Sequence, residues 1–158
     1  MSADKIMAIP MLVWKRLSAV RRVRVEATDL GNGRAADPML GTAAVTITRR
    51  GPASLDWEES GTWESKSGRP VSFQNRLRWT LDLAENSLGL SHLRQGIDHP
   101  AWLCEFVPVT DGAMRAREPH RCGDDTYSAE LLVEPTSLVV QWRVEGPRKD
   151  QRLVHRYS

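Results

Sequence analysis

Cysteine is nearly absent. Cys104 and Cys122 stand alone and no CxxC joins them, so the chain carries neither a disulfide framework nor a thiol redox motif. A reducing cytoplasm is the expected compartment. No stretch approaches the roughly 20 apolar residues that a membrane helix needs. Charge of one sign is lacking too: 22 Lys and Arg against 20 Asp and Glu leave +2. The basic residues are scattered, and the small groups Arg21, Arg22, Arg24 and Arg148, Lys149 fall short of the concentrated face that nucleic acid selects. Neither nucleic acid nor a membrane is expected as a partner. The motifs G-x-S-x-G, G-x-x-x-x-G-K, G-x-G-x-x-G and H-E-x-x-H are all missing, which weakens the case for an enzyme.

What is present fits one globular domain. The 158 residues are 41% apolar and 27% charged, far from the composition of disordered chains. Six Trp stand against two Phe and two Tyr. An indole is bulky and carries one donor, so these residues are candidates to line a cavity or cap a barrel end, or simply to fill core. Ile6 to Trp14 is a short apolar stretch, but Pro10 interrupts it and Lys15 and Arg16 follow at once. It lacks the small-residue cleavage site of a secretory signal. Residues 1–16 read instead as a short helix or lid that packs Met7, Met11 and Trp14 onto the domain.

From Leu17 onward the apolar period is two, the mark of half-buried strands. Strands are expected at 17–28, 42–49, 54–65, 71–83, 88–94, 102–109, 114–122, 126–134, 138–145 and 152–157. Turn chemistry separates them, as at Gly31-Asn32-Gly33, Asp111-Gly112, Gly123-Asp124 and Gly146-Pro147. Leu138, Val140, Trp142 and Val144 alternate with Gln141, Arg143 and Glu145, and Leu77, Trp79, Leu81 and Leu83 alternate likewise with polar neighbours. Short sequential hairpins leave a sandwich or an up-and-down barrel, and closure favours the barrel because it removes exposed edges. The expected fold is therefore all-β: one antiparallel barrel domain over residues 1–158, with about 8–10 strands and a short N-terminal helix.

The densest polar cluster runs from His120 through Cys122, Asp125 and Tyr127. A His, a carboxylate and a phenol at one barrel mouth could hold a polar ligand or exchange protons near neutral pH. The alternative is a hydrogen-bonded corner in which Asp125 accepts backbone N–H groups. His99, Cys104, His120 and Cys122 are zinc-ligand types. A two-residue turn at Asp111-Gly112 would pair Cys104 with Pro119 and Cys122 with Ala101, so that the thiols face opposite sides. No metal and no cofactor are expected. Glu58 and Glu59 are adjacent in a strand and face opposite ways, unlike a glycosidase pair. Arg148 and Lys149, beside the Gly146-Pro147 turn, could receive a carboxylate or phosphate.

At these residues the sequence resembles an uncharacterised lipocalin-like (calycin-type) family of unknown function, found mainly in bacteria and in some plant proteins. The likeness lies in an H-x-C-x-x-D-x-Y block (His120, Cys122, Asp125, Tyr127) and a W-x-V-x-G-P-R-K-D run followed by R-Y (Trp142, Val144, Gly146, Pro147, Arg148, Lys149, Asp150, Arg156, Tyr157). Weaker agreement covers Gly41 to Ala43, Glu59 to Gly61, and Arg76 with Trp79. Gln151 replaces an aromatic, and Gly96 to Leu103 departs from the family's aspartate-glycine turn flanked by Phe. The resemblance implies a barrel and no reaction. It also implies one end closed by stacking an N-terminal Trp on a late Arg, here Trp14 with Arg148 or Arg156.

Three functions follow. The first is a barrel that takes a small, partly apolar ligand, with an anionic group as one option, and with Trp79, His120, Asp125, Tyr127, Trp142, Arg148 and Lys149 as candidate ligand-binding residues. The second is a small-molecule enzyme using acid–base chemistry at His120, oriented by Asp125 or Tyr127. The third is a closed interaction barrel, filled by Trp57, Trp63, Trp79 and Trp142 and open to homodimer formation.

Overall fold

A computed structural model describes residues 2–31 and 37–158, together with the backbone but not the side chain of Met7. Two short helices, α1 (Ala3–Met7) and α2 (Ile9–Leu17), precede eleven strands. These are β1 (Arg22–Asp29), β2 (Met39–Arg49), β3 (Ser54–Trp63), β4 (Val71–Asp82), β5 (Ser87–His92), β6 (Ala101–Thr110), β7 (Ala113–Ala116), β8 (His120–Cys122), β9 (Asp125–Val133), β10 (Leu138–Gly146) and β11 (Lys149–Tyr157). All ladders are antiparallel. The order is β10-β11-β1-β2-β3-β4-β5-β6-β7-β9, and β9 also pairs with β10, which closes the ring. Of the eleven strands only β8 stays outside that ring, bonded to β9 alone, so the barrel has ten. Closure gives each of the ten ring strands a partner on both sides.

The period-two rows fix which side chains enter. Leu55 and Trp57 on β3, Leu77 and Trp79 on β4, Leu88 and Leu90 on β5, and Leu138 and Val140 on β10 are buried in one core. Beside Leu77 the side chain of Arg76 is exposed outside, and beside Trp57 that of Glu58 is half-buried. On the outer face Asp56 is held by both Arg50 and Arg78, at 2.9 and 2.6 Å.

Residues expected to begin a strand at Leu17 are helical through Leu17, and β1 starts at Arg22. The spacing Ile9, Val13, Leu17 explains this, because steps of four line one helical face. That face and Trp14 are buried while Met11 is exposed, so the lid packs through Ile9, Val13, Trp14 and Leu17. Helix α2 touches β4, β5, β6 and β10, strands from opposite sides, and so lies across one barrel end. Burying four such side chains stabilises that end by roughly 1.5–3 kcal/mol each. Arg16 extends the closure by donating to the carbonyls of Glu134 and Ser137 in the β9–β10 turn. At this end Arg156 is paired with Glu134, while Arg148 is exposed in the β10–β11 turn at the other end, away from Trp14. Asn32 and Gly33 of the first expected turn lie outside the described residues.

The strand expected over 114–122 is split into β7 and β8 by a break that contains Pro119, which has no N–H to give a ladder. A register shift between Pro108 and Thr110 moves the β6–β7 pairing by one residue, setting Phe106 against Ala116. A one-residue slip reverses faces. Cys104 sits in the core, and Cys122, exposed on β8, borders the cavity at its rim, so the expected pairing of Cys104 with Pro119 and Cys122 with Ala101 does not form.

Four aromatic rings divide the interior. Trp57 meets Tyr157 at 5.0 Å and Trp79 at 5.8 Å, and Trp79 stacks on Phe106 at 5.8 Å. Below this layer, toward α2, the barrel is packed with Leu88, Met114, Leu131 and Leu138. Above it the barrel is hollow.

Candidate functional site

The hollow half holds a cavity of about 450 Å³ whose floor is Trp79, Leu77 and Tyr157. Its apolar wall includes Leu90, Leu103, Val140 and Leu153. Along the β8–β9–β10 wall, His120, Tyr127 and Trp142 form a chain of edge-to-face rings, with centroids 6.0 and 6.5 Å apart. This stack follows from register, because His120 pairs with Tyr127 on β9 and Tyr127 lies opposite Val144, one inward position from Trp142. Edge-to-face packing fixes the rings and leaves their faces for a ligand.

Of the residues singled out from sequence, Trp79, His120, Tyr127 and Trp142 line this cavity together. Asp125, Arg148 and Lys149 do not. Asp125 faces Lys149 across 3.4 Å, and its carboxylate lies over Gly146, where an added Cβ would stand 2.0 Å from Asp125 Oδ1. That pair fastens the rim of the β9–β11 wall. Arg148 projects from the turn into solvent. His120 therefore has an aromatic neighbour and no carboxylate to orient it. Among the described residues no three of His, Cys, Asp or Glu gather as metal ligands. His99 lies exposed in the β5–β6 loop, and burial pushes the Cys104 thiol up to about 12.

Sequence reasoning missed a second set of groups. A hollow of about 570 Å³ adjoins the cavity and shares Asn75, His92, Arg94 and His155 with it. Glu59 lines this hollow, 1% exposed, and burial raises its carboxyl above the usual range. Asn75 donates to Glu59 Oε2 at 3.1 Å and meets His92 Nε2 through its oxygen at 2.8 Å. Burial lowers His92, with Arg94 adding to the effect, and burial holds His155 down at about 4. Both imidazoles are neutral near pH 7. The readable signal was phase: Glu59 falls in step with Trp57, His92 with Leu90, and His155 with Leu153 and Tyr157, all inward positions.

Residues 18–158 match the model of a family of unknown function, DUF6314. The chain belongs to that family. The match takes in the whole DUF6314 barrel and most of the β-structure's approach from α2, and it carries no activity with it. No curated protein matches the chain. Among solved structures, a redesigned β barrel, mFAP1, bound to DFHBI, is similar over 87% of this chain and 93% of that chain, at 13% identity and a TM-score of 0.36. Among the described residues no helix is long and apolar enough to cross a membrane.

Proposed function

We propose that this DUF6314 chain is a lipocalin-like binding barrel that takes a small, largely apolar molecule into its hollow half. The observation that carries the reading is the aromatic floor, which stops core packing halfway along the barrel and leaves about 450 Å³ lined by Trp79, Tyr127, Trp142 and aliphatic side chains. That volume is in the range of small-molecule sites, and a few polar groups at its edge supply orientation. His120 and Tyr127 are the anchors from the original cluster. Acid–base catalysis at His120 has less support, because Asp125 is engaged with Lys149 and, among the described residues, no carboxylate pairs with the imidazole. A closed interaction barrel has less still, since Trp142 stands along the wall rather than filling the centre.

Native mass spectrometry of the purified protein tests this, followed by Trp fluorescence titration with fatty acids, aromatic acids, aromatic alcohols and haem. A retained mass or a saturable change that weakens in His120→Ala is the expected result. Silence from the whole panel would leave the closed barrel as the better reading.

A further inference from the structure

The polar groups beside the cavity form one directed chain. The Arg94 N–H donates to His92 Nδ1 at 2.9 Å, which occupies that nitrogen's lone pair and puts the imidazole proton on Nε2. Nε2 then donates to the Asn75 side-chain oxygen at 2.8 Å, and this turns the Asn75 amide group toward Glu59 Oε2 at 3.1 Å. The Tyr157 side chain faces Glu59 from across the barrel. Every donor points inward and the chain ends on the carboxyl.

Two atoms are left over. Among the described residues Glu59 Oε1 is buried with no hydrogen-bond partner, and so is His155 Nδ1, whose ring lies against the Val140 backbone. Both residues line the same hollow, with Trp63, Phe73 and Val25 as its apolar neighbours. Buried polar atoms are rarely left unpaired, and those that are call for a water or a ligand.

We propose that Glu59 and His155 are the recognition pair for a neutral hydroxyl on a compact, ring-sized apolar ligand, a phenol or an alcohol. This inference rests on the binding-barrel reading above and names its ligand class. A hydroxyl both donates and accepts, so it can serve a carboxyl oxygen and an imidazole nitrogen at once. A carboxylate ligand would meet the lone pairs of Glu59, whose described neighbours, Val45 on β2, Asn75 on β4 and Tyr157 across the barrel, carry no positive charge. Arg76 and Arg94 also line the hollow, where Arg76 is engaged by Glu58 and Arg94 is exposed. An ammonium ligand would need Glu59 ionised in a dry site, and the desolvation opposes that pairing.

Equilibrium dialysis of the full chain with 2-naphthol, naphthalene, 2-naphthoate and 2-naphthylmethylammonium tests the proposal. We expect 2-naphthol to bind about tenfold more tightly than naphthalene, the scale of one well-made buried hydrogen-bond set. Naphthoate and the ammonium should bind no better than naphthalene. Glu59→Met and His155→Phe should each bring 2-naphthol down to the naphthalene level. Undiminished naphthalene binding in both variants shows that they fold. Equal affinity for naphthol and naphthalene, a preference for either ion, or a naphthol advantage that survives both variants would overturn the recognition pair while leaving the binding barrel standing. No binding of any probe would overturn both.

Discussion

Trp57 and Tyr157 meet edge to face across the barrel interior, ring centroids 5.0 Å apart and planes inclined at 67°. With Trp79 and Phe106 they form the boundary between the packed half and the hollow half. The boundary has a cost, since the indole N–H groups of Trp57 and Trp79 are both buried without acceptors.

Truncating the floor should therefore depend on what replaces the ring. Trp79→Ala is expected to lose roughly 3–5 kcal/mol of stability. Trp79→Phe should lose well under half of that, because it keeps an aromatic plate and removes an unsatisfied donor. Urea denaturation compares them, and equal losses would show that the Trp79 N–H is satisfied in solution.

Glu59→Gln should stabilise the protein at neutral pH. The Glu59 carboxyl is raised in the fold by burial. An acid with a raised folded value is stabilising below its unfolded value and loses that contribution as pH climbs through the folded one. Gln keeps an acceptor for Asn75 and carries no charge. The gain in Tm should be largest at pH 7–8 and shrink toward about pH 4. A gain that is constant with pH would contradict the assignment.

Asp56 predicts the opposite slope. Its hydrogen bonds to Arg78 first, and to Arg50, hold its carboxyl below the usual range against the pull of burial. A lowered folded value gives stability that is complete above the unfolded value near about 4 and is lost as pH falls through the folded one. Asp56→Asn should cost about 1–3 kcal/mol at pH 7, and its deficit relative to the parent should close on acidification. Parallel stability curves from pH 7 to pH 2 would count against this.

A seam runs down one wall. The Arg117 N–H still reaches the Glu105 carbonyl, but beyond it β8 pairs with β9 only and a gap of about 470 Å³ separates it from Trp102 to Glu105. Amide exchange at residues 120–122 should be faster than at 113–115, which are bonded on both sides. His120 lines both the seam and the cavity. A bound ligand should slow exchange at 120–122 selectively, and uniform protection of β7 and β8 would remove the seam as an opening.

Much of this was legible in the sequence because alternation and turn residues act locally. The row Leu138, Val140, Trp142 declares its face without help from the rest of the chain. The site was legible only where residue type and crowding coincided, as at His120 and Tyr127. Arg148 and Lys149 drew notice through charge, yet a turn exposes them. Glu59 and His155 were hidden because each sits singly in an apolar row, and only the ring closure that brings β3, β4 and β11 around one hollow gives them a common purpose. The slip at Pro108 is a single-residue event that no local pattern announces.

The pairing of β1 with β11 has a kinetic consequence. Most ladders of the barrel join hairpin neighbours, which need only short loops to close, whereas Val23 meets Tyr157 from the far end of the chain. Bringing those strands together sacrifices far more chain freedom than any hairpin does. We expect the sheet to zip outward from its hairpins and the β1–β11 seam to form last. Pulse-labelling during refolding should find the amides of Val23 to Asp29 protected after those of β3 and β4, and simultaneous protection would point to a nucleus that already spans the chain. Tyr157 lies on this final strand, so the aromatic floor, and with it the cavity, comes into being only at the closing step.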